Sequence, residues 1–294
     1  MTRYLRPRTL DEALALRADA TGSSLLTILA GGTDVYPVRT HRTAWFEPYS
    51  RDILDLSAVP DLGGITHDAH GTRIGATATW SAVAAAALPP AFDTLKQASR
   101  QIGGVQIQNR GTIGGNLCNA SPAADGVPPL LALDAEVELA NLRGHRRLPL
   151  AEFVLGNRRT ALAADEILVA IHVPAQPAQA RSTFLKLGAR AYLVISIASV
   201  AAMIATDAAG RIASVRIALG ACSAAPQRLA DLEARLVVLT ATPALAATIS
   251  ADDLASLSPI DDVRASAVYR REAALVLVRR ALAGLLSPPL EVAA

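Results

Sequence analysis

The chain has 294 residues, 51% of them hydrophobic and only 4% aromatic, with 28 Lys and Arg against 26 Asp and Glu. A net charge of +2 without a basic block excludes an electrostatic nucleic-acid footprint. Two distant cysteines, Cys118 and Cys222, are too few for a zinc site or an iron–sulfur cluster and are expected as small buried hydrophobes.

The length allows two or three compact units. Met1-Thr2-Arg3-Tyr4-Leu5-Arg6-Pro7 has no apolar signal-peptide core, and no uncharged run reaches the ~20 residues of a membrane helix. With low cysteine use, this leads to the expectation of a cytoplasmic protein with no membrane span.

In chain order, Thr9-Leu10-Asp11-Glu12 is a capping box that starts a helix near Leu10, stopping at Gly22. Leu25 to Leu29 reads as a buried strand. Val38 to Ser50 gathers Arg39, His41, Arg42, Trp45, Phe46 and Tyr49, as a partner-contact segment or as a packed surface excursion. Strands follow at Ile53–Leu56 and from Leu62, with a hairpin turn at Asp68-Ala69-His70-Gly71. Thr79 opens an alanine-rich helix ending before Pro89, and Phe92 to Gln101 forms another. Glu136 to Ala140 alternates as a strand turning at Arg143–Arg146, and Glu166 to Val173 is a strand stopped by Pro174. Composition shifts at Pro174-Ala175-Gln176-Pro177, a candidate boundary. Beyond it strands are expected at Ser182–Leu187, Leu193–Ala205 and Ile212–Gly220, with a turn at Asp207–Gly210, and a helix over Val263–Leu286. Strands followed by helices indicate an α+β chain.

Two glycine-rich stretches stand out. Ala30-Gly31-Gly32-Thr33-Asp34-Val35 follows the first buried strand. Ile102 to Pro122 carries five glycines, among them Gly103, Gly111, Gly114 and Gly115, with one charge, Arg110. Such loops offer successive backbone N–H donors suited to a phosphate, and Asp125 beyond them suits ligand hydroxyls. A pair of tight turns between packed strands explains the same composition. Neither loop is a Walker or a G-x-G-x-x-G motif. The five histidines are scattered and are expected as surface or core residues, and Asn119-Ala120-Ser121 is read as a chance sequon.

The two loops in this order and spacing, closed by Ala120-Ser121-Pro122 and Asp125, resemble the FAD-binding medium subunit of molybdenum hydroxylases. That family includes the flavin subunit of carbon monoxide dehydrogenase and the flavin domain of xanthine dehydrogenase, and the resemblance runs along essentially the whole chain. It implies a two-part FAD-binding domain of the PCMH, vanillyl-alcohol-oxidase-like type at 1–175, with subdomains of roughly 1–55 and 56–175. A C-terminal α+β domain of antiparallel sheet plus helices is implied at 178–288. It implies noncovalent FAD held by Ala30, Gly31, Gly32, Thr33, Asp34 and Val35 and by Thr112, Gly114, Gly115 and Asn116. Further contacts are implied at Ile102, Gly103, Asp125, Leu168, Lys186 and Tyr192.

On that reading Asp34 contacts a ligand hydroxyl or simply closes its turn. Lys186 is a cation near the flavin or a snorkelling strand lysine. Relatives place an Asp-Tyr pair where this chain has Ala191-Tyr192. The implied partners are a large molybdenum-cofactor subunit and a small subunit with 2Fe–2S clusters, assembled as a dimer of heterotrimers. Molybdopterin and clusters would then lie on those partners. The substrate chemistry would lie elsewhere, so no catalytic residue or metal ligand is expected here. The alternative is a self-sufficient FAD-dependent oxidoreductase of the same fold.

Overall fold

The computed structural model describes residues 3–20, 26–45 and 51–287. The expected helix stop at Gly22, the strand start at Leu25, and Phe46, Tyr49 and Ser50 of the aromatic segment lie outside the described residues. The chain divides into two compact units, each assembled from separate stretches: Met1–Ala86 with Ile102–Ser121 and Asp134–Ala175, and Ala87–Gln101 with Pro122–Leu133 and Gln176–Ala294.

In the first unit, Thr9 starts the helix Leu10–Asp19 by accepting from the Glu12 N–H at 3.2 Å. The Glu12 carboxylate accepts from the Arg8 N–H at 2.8 Å, one residue further back than in a standard capping box. The helix buries Ala13 and Leu14 in a core with Leu54, Leu56, Val59, Leu62 and Val169. Beside it, β1 (Tyr4–Leu5) and β2 (Leu26–Leu29) flank β3 (Asp52–Asp55), all parallel. The helix Val35–Ala44 follows the first glycine loop. Its side chains are mostly exposed, including Tyr36, Val38 and the neighbouring Trp45.

The same unit holds β4 (Ile65–Asp68), β5 (Gly71–Gly75), β6 (Glu136–Asn141) and β7 (Gly144–Pro149). A short hairpin of β8 (Val154–Gly156) and β9 (Arg159–Thr160) precedes β10 (Ile167–Pro174). The antiparallel five-stranded order is β4-β5-β10-β6-β7. The expected turn at Asp68 is present, its carboxylate accepting from the His70 and Gly71 N–H groups at 2.8 and 3.2 Å.

The second unit is built on β11 (Arg181–Leu187), β12 (Ala198–Thr206), β13 (Ile212–Gly220) and β14 (Gln227–Arg228), antiparallel in that order. Ala198, Val200, Ala202 and Ile204 share a core with Ala274, Val278, Ala281 and Leu282 of the helix Ala267–Leu286. Ala201 and Met203 on the opposite face are equally buried. A strand covered on both sides reads as a continuous apolar run, which explains the unbroken Ala-Val-Met-Ile composition. The helices Asp93–Ser99 and Val127–Ala132 also pack against this sheet.

Two expected elements begin later than their apolar patterns suggest. The strand expected from Leu193 starts at Ala198, because Leu193 is left-handed (φ 53°) and Ile195 points to solvent. The last helix starts at Ala267, capped by the Ser266 hydroxyl on the Tyr269 N–H at 3.2 Å, rather than at Val263. Val263 is fully exposed at a turn closed by the Asp262–Ala265 bridge. The Asp262 carboxylate accepts from Arg264 and from Arg270, each at 2.6 Å. Arg270, 1% exposed, also donates to the Ile197 and Ala221 carbonyls at 2.7 and 3.0 Å.

Candidate functional site

In the first unit, β2 ends at buried Leu29 and the chain turns through Ala30 to Asp34. Gly32 adopts φ 75°, which favours glycine. Gly31 serves a different need. A Cβ there would lie 1.9 Å from the Arg110 carbonyl oxygen, so the two glycine-rich loops meet backbone to backbone. Beyond this contact, the amides of Gly31, Gly32, Thr33 and Asp34 donate to no acceptor among the described residues. Four consecutive N–H groups without an acceptor among the described residues are donors suited to an anion.

The second loop is differently built. Its Gly111 N–H donates to the Ile107 carbonyl at 2.6 Å, Ile113 to Ala78 at 3.0 Å and Gly114 to Ala76 at 2.9 Å. Thr112 caps the helix Ile113–Asn119 by accepting from the Gly115 N–H at 3.1 Å, and the Asn116 N–H donates to the Thr112 carbonyl at 3.1 Å. The backbone donors of Gly114, Gly115 and Asn116, expected as a second cradle, are therefore consumed within the fold. Gly114 is needed for packing, since a Cβ would sit 2.6 Å from the Ala76 carbonyl oxygen. What this loop leaves open is the Asn116 side-chain oxygen, buried without a hydrogen-bond partner.

Ile102 and Gly103 enter the short helix Val105–Gln108, whose Ile107 receives the Gly111 N–H. Ile102 is half-buried and Gly103 takes φ 61°. Leu168 is buried on β10 beside a bulge, on the face opposite Ile167 and Val169 of the core.

In the second unit, Lys186 and Asp125 find each other. Lys186 Nζ lies 2.6 Å from Asp125 Oδ2, and both side chains are 6% exposed. Lys186 also donates to the Gln101 carbonyl at 3.3 Å, and the fully buried Ser196 hydroxyl donates to Asp125 Oδ1. Burial pushes the Asp125 carboxyl above its ordinary range, against the opposing pull of Lys186 and of the Ser196 hydroxyl. The lysine expected as a lone cation is therefore half of a compensated pair, and the aspartate already holds two protein donors. Tyr192 lies in the loop between β11 and β12 and is 75% exposed.

Residues missed from the sequence include Ser196, which no local pattern marks, and Asn119 with Arg158. The Asn119 amide donates to Asp34 Oδ1 at 3.2 Å and accepts from Arg158 Nη1 at 2.9 Å. Cys222 is buried, its thiol pushed up to about 11 by desolvation; Cys118 is exposed as a residue, yet desolvation pushes its thiol up to about 12, so its sulfur lies among packed neighbours. Among the described residues no cluster of His, Cys, Asp and Glu could hold a metal, and no helix is long and apolar enough to cross a membrane.

The unpaired amides of 31–34 and the orphaned Asn116 oxygen fit a group that joins a polyanion to hydrogen-bonding rings and sugars, as FAD does. Comparison with known proteins agrees. The model of the FAD binding domain in molybdopterin dehydrogenase matches residues 1–176, and that of the CO dehydrogenase flavoprotein C-terminal domain matches 183–285. The chain is 32% identical to the nicotine 6-hydroxylase medium subunit of Paenarthrobacter nicotinovorans, over 95% of both chains. It is 33% identical to a putative xanthine dehydrogenase FAD-binding subunit of Escherichia coli K12, over 91% of this chain and 90% of that one. Among solved structures, a carbon monoxide dehydrogenase chain from Hydrogenophaga pseudoflava superposes with a TM-score of 0.87 at 29% identity, over 98% of both chains. Loop geometry, both domain matches and full-length relatives place this chain in the family of FAD-binding medium subunits of molybdenum hydroxylases.

Proposed function

We propose that the chain is the electron-transfer subunit of a three-subunit molybdenum hydroxylase, passing electrons from a partner's iron–sulfur clusters through FAD to an external acceptor. A large subunit would carry the molybdenum cofactor and the organic substrate, a small subunit two 2Fe–2S clusters, and two such trimers would pair in the cytoplasm. The observation that carries the reading is the run of unpaired amides from Gly31 to Asp34, in a segment matched throughout by the FAD-domain model. FAD, when bound, supplies a store for two electrons that can be filled singly and emptied as a pair.

The residues of this chain would bind and orient that group. Ala30 to Val35 hold the pyrophosphate through backbone N–H groups. The wall of Thr112, Gly114, Gly115 and Asn116 lends the Asn116 side-chain oxygen, and Ile102, Gly103 and Leu168 lend apolar or backbone contact. Lys186 keeps one ammonium hydrogen beyond the two given to Asp125 and Gln101, so the pair can still donate to a ligand while remaining close to neutral overall. Tyr192 is an exposed aromatic available to a planar ring.

The self-sufficient alternative requires an acid–base residue or an attachment histidine at the loops. The described contacts of His67, His145 and His172 go to Thr72 and Glu138 instead.

Purified full-length chain is expected to carry close to one FAD per chain, released completely by acid precipitation. FMN in the extract, or a pellet that stays yellow through a bond to the protein, contradicts the noncovalent FAD reading.

A further inference from the structure

We propose that Asn119 and Arg158 are positioning residues for Asp34: they fix one carboxylate oxygen so that the other is presented to a hydroxyl of the bound dinucleotide. This rests on the reading of Gly31 to Asp34 as the FAD loop.

Asp34 immediately precedes the helix Val35–Ala44, where an aspartate ordinarily caps the second or third helical N–H. Here neither is on offer. The Tyr36 N–H donates to the Gly32 carbonyl at 3.0 Å, and the next residue is Pro37, which has no N–H. The carboxylate turns instead to Asn119, whose amide donates to Oδ1 at 3.2 Å. The other end of that amide accepts from Arg158 at 2.9 Å.

A guanidinium only donates and a carboxylate only accepts, so an amide placed between them has one orientation. Its NH2 must face Asp34. The arrangement is held at its base by the Arg158 N–H, which donates to the Ala120 carbonyl at 2.9 Å. Ala120 and Arg158 both lie in the left-handed region, at φ 45° and 54°, although neither is glycine. Both are turn positions: Ala120 is the left-handed C-cap of the helix Ile113–Asn119, and Arg158 sits in the hairpin turn between β8 and β9.

Two consequences follow for a ligand. Asp34 Oδ2 accepts from no described residue, which leaves it for a donor from outside the chain. Tethering by Asn119 also keeps the carboxylate from folding back onto the unpaired amides and competing there with a phosphate. Arg158 contributes its charge through the amide without itself reaching the anion. Asn119 and Arg158 thus act on the ligand through Asp34 alone.

That claim is tested by a mutant cycle read as FAD affinity, using flavin-stripped full-length chain titrated with FAD. Asn119→Ala and Arg158→Ala are each expected to weaken binding about 5- to 30-fold, and to add less than about 2-fold once Asp34→Ala is present. Asn119→Asp, which sets acceptor against acceptor, is expected to lose more than Asn119→Ala. The thermal unfolding midpoint of the stripped chain controls for general damage and is expected to stay close to wild type. Equal losses with and without Asp34 overturn the positioning role, as does a loss for Asp34→Ala with none for Asn119→Ala. If Gly31→Ala and Asp34→Ala both leave FAD affinity unchanged, the loop itself has been misread and the proposal falls with it.

Discussion

Gly31→Ala is expected to abolish FAD retention, weakening affinity more than about 100-fold, and to lower the thermal midpoint of the chain. A hundredfold loss corresponds to roughly 2.7 kcal/mol. The argument is steric. The added methyl carbon would meet the Arg110 carbonyl oxygen at 1.9 Å, its carbon at 2.7 Å and Gly111 Cα at 2.9 Å, all backbone atoms. That backbone cannot retreat easily, because the Gly111 N–H is bonded to Ile107 and the Gly111 carbonyl accepts from Trp80 at 3.1 Å. Overpacking of this kind costs about 1–3 kcal/mol, and the loop that yields is the one with the unpaired amides. Gly284→Ala is the matched control: it lies inside the helix Ala267–Leu286 with open space around its missing Cβ. It is expected to leave FAD content unchanged and to stabilise by about 0.5–1 kcal/mol. Absorbance of the bound flavin and thermal unfolding read both variants. Normal flavin content in Gly31→Ala would show that the loops are not in contact as described.

The second large effect is expected in the other unit. Asp125→Ala strands the Lys186 ammonium, 6% exposed, with the Gln101 carbonyl at 3.3 Å as its one remaining partner among the described residues. Removing one member of a buried ion pair costs about 3–5 kcal/mol, since the remaining charge must be desolvated alone or give up its proton. The double variant Asp125→Asn/Lys186→Met removes both charges and keeps a polar partner for the Ser196 hydroxyl. It is expected to cost less than Asp125→Ala and less than the sum of Asp125→Asn and Lys186→Met made singly, a difference seen in urea midpoints of the flavin-free chain. Strict additivity would mean that the two side chains do not interact in solution.

Much of this fold could be read from residue order. The capping box at Thr9, the turn at Asp68 and the apolar strand after Pro177 each depend on neighbours a few residues away. The failures share a cause. Leu193 and Ile195 have the composition of a core strand, yet a left-handed residue and solvent exposure place them in a loop. Val263 continues an apolar pattern into a helix, but the bridge at Asp262 and the cap at Ser266 cut it short. In both cases a backbone turn or cap, which apolar composition does not register, decides where the element begins. Residues 87–101 and 122–133 cluster with the C-terminal half, a grouping set by long-range contacts alone.

The candidate site divides in the same way. Glycine density marked both loops, but it could not separate Gly32, which needs its positive φ, from Gly31 and Gly114, which need close backbone approach. Nor could it show that one loop keeps its N–H groups free while the other spends them on Ala76, Ala78 and Ile107. Asp125 and Lys186 were singled out separately, as a hydroxyl acceptor and a flavin cation. Their pairing joins positions far apart in the sequence and is visible only in three dimensions.

The most direct measurement follows the flavin spectrum while organic substrates are offered, first to the flavin-loaded chain alone and then to the chain assembled with the proposed molybdenum and iron–sulfur subunits. Purines, N-heteroaromatic compounds, aldehydes and carbon monoxide cover the chemistry named in the relatives. The account predicts that the isolated chain stays yellow with every compound and that the assembled complex bleaches with at least one of them. Bleaching of the isolated chain by any of these substrates would contradict it, and would identify a flavoenzyme with a substrate pocket of its own.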